Sequence, residues 1–199
     1  MSDTNSPDTN SPDTNSSSVP SPLIYSTVYW ATLRADVTFF PGEELPPQSE
    51  GKLWAVLTFV FYGDKVALAD ITGRGLCIPS GKIEAGETVD EAAVREVWEE
   101  TGGKLDPERR RLIGCYRLSP RGEPTPGPVR YCPVFVAEAW EFAAIPERSE
   151  SRGIVLAAVE DVADVYFTWD ALMGEVFQYA QERRTTLFPV GLAMSRLTG

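Results

Sequence analysis

Residues 81–103 read GKIEAGETVDEAAVREVWEETGG, and their spacing carries more information than any other stretch of the chain. Thr88-Val-Asp-Glu91 has the form of a capping box, in which the Thr88 hydroxyl accepts the amide of Glu91 and the Glu91 carboxylate reaches back. A helix starting there meets Gly102 and Gly103, which supply a left-handed stop. The preceding Cys77-Ile-Pro-Ser-Gly81 reads as a strand end entering a tight loop with Gly81 and Gly86. The unit is therefore strand, loop, acidic helix. A helical period puts Ala93, Val94, Val97 and Trp98 toward a core but gives no reason to crowd Glu96, Glu99 and Glu100 on another face. Those carboxylates are neighbours at i+3 and i+4, where each like-charge pair costs roughly 0.2–0.5 kcal/mol. Something cationic is expected to offset them.

The chemistry of the cluster points to a hard cation. Converging carboxylates are oxygen ligands suited to Mg²⁺ or Mn²⁺, which keep several waters and bind substrate phosphates. The chain contains no histidine, the commonest nitrogen ligand and general base, so every Ser-His-Asp arrangement is excluded. Its three cysteines, Cys77, Cys115 and Cys132, lack CxxC spacing, which leaves a thiolate zinc site without support.

The segment resembles the Nudix box, G-x5-E-x7-R-E-U-x-E-E-x-G-U with U aliphatic. Gly81, Glu87, Arg95, Glu96, Val97, Glu99, Glu100 and Gly102 match; Gly103 stands where the final aliphatic belongs, with Leu105 nearby, and Ser80 stands where a glycine is common. The resemblance implies that Glu96, Glu99 and Glu100 hold the divalent cation, with the Ser80 carbonyl as an extra ligand. It implies that Arg95 and Glu87 form a buried pair fixing loop to helix. The water-activating base is either Glu96 or a residue of the later loop 145–152, where Glu147 and Glu150 are candidates. Arg74 and Arg130 are candidates for contacts to phosphate or ribose, with Arg117 and Arg152 behind them, and Trp30, Tyr131 and Phe40 are aromatics available to stack a base.

Strand signals surround the box. Leu23–Phe40 reads as one or two strands, Leu53–Tyr62 and Val66–Ile71 as a hairpin around Gly63-Asp64, and Leu112–Leu118, Tyr131–Phe142 and Ile154–Val159 as further strands, with a last helix from about Trp169 to Arg183. Arg121–Pro128 is a Pro/Gly-rich loop. This order fits the α/β fold that the resemblance implies, a Nudix α/β/α sandwich with a mixed β-sheet. Residues 1–21, with SPDTN at 6–10 and 11–15, have too few apolar side chains to offset ordering entropy and are expected to be a disordered tail before a single domain at 22–199.

A formal charge of −11 argues against a nucleic-acid backbone or an anionic membrane as partner. No apolar run reaches the roughly 20 residues needed to span a bilayer, and few cysteines with no signal peptide predict a cytoplasmic protein. The resemblance implies a pyrophosphohydrolase that uses Mg²⁺ or Mn²⁺ to cleave a diphosphate bond in a nucleoside diphosphate linked to another moiety. ADP-ribose-like substrates lead and nucleoside triphosphates follow; a homodimer is the assembly considered. Two rivals share the fold: a ligand-sensing module without turnover, and a prenyl diphosphate isomerase-like enzyme needing an added cysteine and glutamate. The complete carboxylate set favours hydrolysis.

Overall fold

The computed structural model describes residues 25–47, 49–122 and 127–189. The expected tail at 1–21 and part of the Arg121–Pro128 loop lie outside these residues.

Helix α1, Val89–Thr101, is bounded by the local signals in its sequence. Thr88 holds an extended N-cap, its hydroxyl accepts the Glu91 amide at 3.2 Å, and the Glu91 carboxylate accepts the Thr88 amide at 2.8 Å. Gly102 ends the helix at φ 69°. Two constraints require glycine there: the left-handed backbone, and a Cβ that would stand 2.1 Å from the Ala143 carbonyl oxygen. Gly103 takes no part in the stop. It opens the next strand.

That strand, β8 (Gly103–Pro120), pairs along β9 (Arg130–Phe142) and is far longer than the expected Leu112–Leu118. The charged run 104–111, which no strand signal covers, is carried as strand through register shifts that set Leu105 against Ala139 and Arg110 against Ala137. Sheet order is β1 (Val28–Trp30), β2 (Ala35–Pro41), β8, β9, β4 (Ala55–Tyr62), β5 (Lys65–Ile71), β10 (Ser151–Ala158). Three short strands lie off this path: β3 (Lys52–Leu53) on β9, β6 (Gly75–Cys77) on β5, and β7 (Ser80–Lys82) on β4. β4 runs parallel to β9 and antiparallel to β5 and β7, so the sheet is mixed, as expected. The β4–β5 hairpin turns at Gly63-Asp64 with Tyr62 opposite Lys65.

β4 is buried almost throughout because both its faces are covered. On one side, Ala92, Ala93 and Val97 of α1 pack on Val56, Val60, Phe135 and Ala137. On the other, α3 (Ala171–Leu187) buries Leu172, Met173, Val176, Phe177 and Ala180 against Phe59, Phe61 and Tyr116. Each large apolar side chain so buried contributes about 1.5–3 kcal/mol. A short helix, α2 (Val162–Val165), precedes α3, whose N-cap is Asp170, accepting the Met173 amide at 2.8 Å; the helix thus starts just after Trp169 and outlasts the expected end at Arg183. No described helix is long and apolar enough to cross a membrane.

One expectation about α1 is corrected. Its buried stripe runs through Ala92, Ala93, Glu96, Val97, Glu100 and Thr101, whereas Val94 is exposed and Trp98 half-buried. Two of the carboxylates therefore share the core-facing side, each only 8 % exposed, instead of lying on an opposite face.

Candidate functional site

Strand β7 and the loop after it press against this acidic stripe. Gly81 lies opposite Val56 of β4, and a Cβ there would stand 2.0 Å from Glu96 Oε1 and 2.1 Å from its carboxyl carbon. The Glu96 carboxylate therefore occupies the volume of the missing side chain. The Ser80 amide donates to Glu100 Oε2 at 2.8 Å, so loop and helix meet at two consecutive residues.

Arg95 organises the rest. Its Nε and Nη2 grip Glu87 Oε1 and Oε2 at 2.7 and 2.9 Å, a bidentate pair. Nη2 also donates to the Lys82 carbonyl at 2.9 Å. Nη1 bridges Glu96 Oε1 at 2.7 Å and Glu99 Oε2 at 3.1 Å. Arg95 and Glu87 are 23 % and 13 % exposed, so the pair that locks the loop is largely shielded from water. The guanidinium holds the Glu87 carboxyl below its usual range, chiefly by hydrogen bonding.

The two buried carboxylates behave differently. Burial pushes Glu100 up to about 7, with Glu96 and Glu150 adding to the rise and the Ser80 amide and Arg74 opposing it. Glu96 is raised by burial too, opposed by Arg95. For both, the loss of hydration on burial outweighs the nearby cations. Among the described residues no three His, Cys, Asp or Glu side chains form a ready metal cage. In the arrangement seen, Arg95 serves as the counter-ion of Glu96 and Glu99. The donor chemistry of Glu96, Glu99 and Glu100 nevertheless suits a hard cation, since carboxylate oxygens are its ordinary ligands.

The other candidates divide. Glu150, just before β10, is within electrostatic reach of Glu100, and its carbonyl accepts the Thr72 amide at 3.1 Å. No interaction among the described residues joins Glu147 to the cluster. Arg74 also acts on Glu100 and sends Nη1 toward Cys77 Sγ at 3.8 Å. Arg117 donates to Ser119 and Arg152 to Asp70, which makes them local surface contacts. Arg130 lies one strand from the loop, its guanidinium over the Trp54 ring at 4.3 Å. Of the named aromatics, Tyr131 is buried, Phe40 is exposed, and Trp30 donates to Asp170 at 2.8 Å. Trp54 was not singled out in the sequence: a tryptophan opening an apolar strand reads as core, and only the cross-strand pairing brings Arg130 onto it.

The family model of the NUDIX domain matches residues 51–185. The ADP-ribose pyrophosphatase of Methanocaldococcus jannaschii is 51 % identical over 47 residues, 24 % of this chain and 26 % of that protein. The putative 8-oxo-dGTP diphosphatase YtkD of Bacillus subtilis is 36 % identical over 66 residues, 33 % of this chain and 39 % of that protein. Both matches span well under two thirds of those relatives. Among solved structures, the Bacillus subtilis pyrophosphohydrolase BsRppH superposes with a TM-score of 0.61 at 20 % identity, over 79 % of this chain and 96 % of that one, a likeness of fold. With a matching box, a matching sheet and a family model covering most of the chain, the protein belongs to the Nudix family.

Proposed function

We propose that this chain is a Mg²⁺- or Mn²⁺-dependent pyrophosphohydrolase that cleaves a diphosphate bond in a nucleoside diphosphate linked to another moiety. The observation that carries the reading is the pair Glu96 and Glu100: two carboxylates buried side by side against a loop, each held above its ordinary pKa chiefly by burial. A purely structural helix gains nothing from burying acids in this way. Glu96, Glu99 and Glu100, with the Ser80 carbonyl, would hold the cation. When bound, the cation neutralises the diphosphate and stabilises charge on the leaving phosphate.

The chain's own residues do the remaining work. Arg95 and Glu87 keep the loop 82–87 against α1, which fixes Ser80 and Gly81 relative to the carboxylates. Arg74 supplies positive charge near Glu100 for a substrate phosphate. Glu96 is the first candidate to take the proton of the attacking water, on the resemblance of the box to the family motif. Glu150 follows on the strength of its proximity to Glu100, and Glu147 drops behind it.

An ADP-ribose-like substrate leads, supported by the name of the Methanocaldococcus relative, and a nucleoside triphosphate follows, supported by that of the Bacillus relative. We place the protein in the cytoplasm with a small-molecule partner, not nucleic acid or membrane, as one domain at 22–199, monomeric or homodimeric. The test is phosphate release in Mg²⁺ and in Mn²⁺ across ADP-ribose, nucleoside triphosphates, dinucleoside polyphosphates and a prenyl diphosphate. Turnover confined to the prenyl compound, or none with any substrate, overturns the proposal.

A further inference from the structure

Trp140 is the most exposed large apolar side chain among the described residues, 60 % open to solvent. Register sets the side of the sheet on which it lies. Leu105 and Ala139, paired across β8 and β9, pack in the cluster beneath α1. The next opposed pair, Lys104 and Glu141, therefore turns to the α3 side, where the two side chains join at 3.1 Å. The Lys104 ammonium lies 5.3 Å from the centre of the Trp140 ring, so the indole shares that face.

The end of α3 is tied down close by. Glu138 accepts from Arg184 of α3 and from Arg109 of β8. Arg109 also lies over the Phe188 ring and donates to the Phe188 carbonyl at 3.0 Å. Trp140 is two residues along β9 from Glu138, about 7 Å. The described chain stops at Pro189, and residues 190–199, VGLAMSRLTG, lie outside it. The four residues from Pro189 to Leu192 span up to about 13 Å when extended, which is enough to reach the indole. The segment's composition differs from that of the amino-terminal repeat. Val190, Leu192, Met194 and Leu197 are apolar and Arg196 is the one charged residue, whereas residues 2–18 have no such apolar side chain. A segment of that kind gains by burial.

We propose that residues 190–199 dock on the exposed face of Trp140, with Leu192 and Met194 against the indole, and so cover the β8–β9 ribbon on the α3 side. The occupant of this surface is the chain's own carboxy-terminal segment, delivered there by the anchoring of Phe188 on Arg109. Met194 suits the contact, because a thioether packs favourably against an aromatic ring. The inference is independent of the hydrolase reading.

The test is hydrogen exchange, read by mass spectrometry, on the full chain at a concentration where light scattering gives the mass of one copy. The amides of 190–197 are expected to exchange about tenfold more slowly in the wild type than in Trp140→Ala, the effect of burying one apolar side chain. The full-length double variant Leu192→Asp, Met194→Asp is expected to lose the same protection with its melting temperature little changed, and it carries the comparison alone if Trp140→Ala does not fold. Absence of protection in the wild type, or protection that survives either variant, overturns the proposal. Protection of 138–142 that appears only as the mass doubles gives the face to a second copy. Protection that appears only with vesicles of phosphatidylcholine and phosphatidylglycerol gives it to a lipid surface. Either result also overturns the proposal.

Discussion

The carboxylate of Glu96 fills the place where a side chain on residue 81 would lie, with both oxygens and the carboxyl carbon within 2.0–2.2 Å of a Cβ built on Gly81. Gly81 is therefore needed for space and not for backbone freedom. Gly81→Ala is expected to drive the Glu96 carboxylate out of its position while leaving the apolar core intact. Since a displacement of this size at a catalytic group costs about 100-fold, kcat should fall on that order with little change in melting temperature. A variant that unfolds, or one that keeps full turnover, speaks against this role.

Glu91→Gln and Glu100→Gln remove the same charge from the same helix and separate capping from chemistry. The Glu91 carboxylate accepts from the Thr88 amide and hydroxyl, both at 2.8 Å, which an amide oxygen also does. That variant should lose at most a few degrees of melting temperature and little activity. Glu100→Gln keeps the acceptor for the Ser80 amide but loses a ligand whose effect grows in the transition state. Its kcat should fall by orders of magnitude, with its metal-free stability at pH 8 equal to or above that of the wild type.

The raised pKa of Glu100 has a definite sign in a pH titration of stability. A carboxylate shifted from 4.5 to about 7 in the folded protein favours folding below pH 4.5, and that contribution disappears as pH rises to about 7. The metal-free protein should therefore melt progressively lower across this window relative to Glu100→Gln, which lacks the titration. Mg²⁺ should reverse the loss at pH 8, because it favours the charged form. Parallel melting curves for the two proteins across pH 4.5–8 contradict the assignment.

At its amino-terminal end the described chain is tied to α3: the Ser26 amide and hydroxyl donate to Glu175 at 2.7 and 2.5 Å. Residues 1–21 precede this anchor and are nearly devoid of apolar side chains. Deleting them is expected to leave kcat/KM within about twofold, far from the tenfold that 1.4 kcal/mol represents. A larger loss assigns the SPDTN repeat a role at the pocket.

What the sequence made legible was mostly local. The Thr88–Glu91 cap and the Gly102 stop are specified by spacing within one helix, and the Arg95–Glu87 pair by the resemblance of the box. Alternation and the Gly63-Asp64 turn gave individual strands, and the mixed sheet came from the family resemblance. The burial of Glu96 and Glu100 was not legible, because acids are ordinarily solvated and only β7 lying across α1 covers them. Residues 104–111 carry no strand signal for a similar reason: the run is charged, and only pairing with β9 makes it strand. Choosing Glu150 over Glu147, and finding Trp54 beneath Arg130, both required strands distant in sequence to be brought together.

The most direct measurement is phosphate release from ADP-ribose and from a nucleoside triphosphate by the full chain, with Mg²⁺ or Mn²⁺ and again in excess EDTA, for wild type and Glu100→Gln. Metal-dependent turnover of at least one substrate by the wild type, abolished by EDTA and cut by orders of magnitude in Glu100→Gln, is the predicted result. Full turnover in EDTA, or a Glu100→Gln variant as active as the wild type, would contradict the claim that the acidic face of α1 holds the catalytic cation.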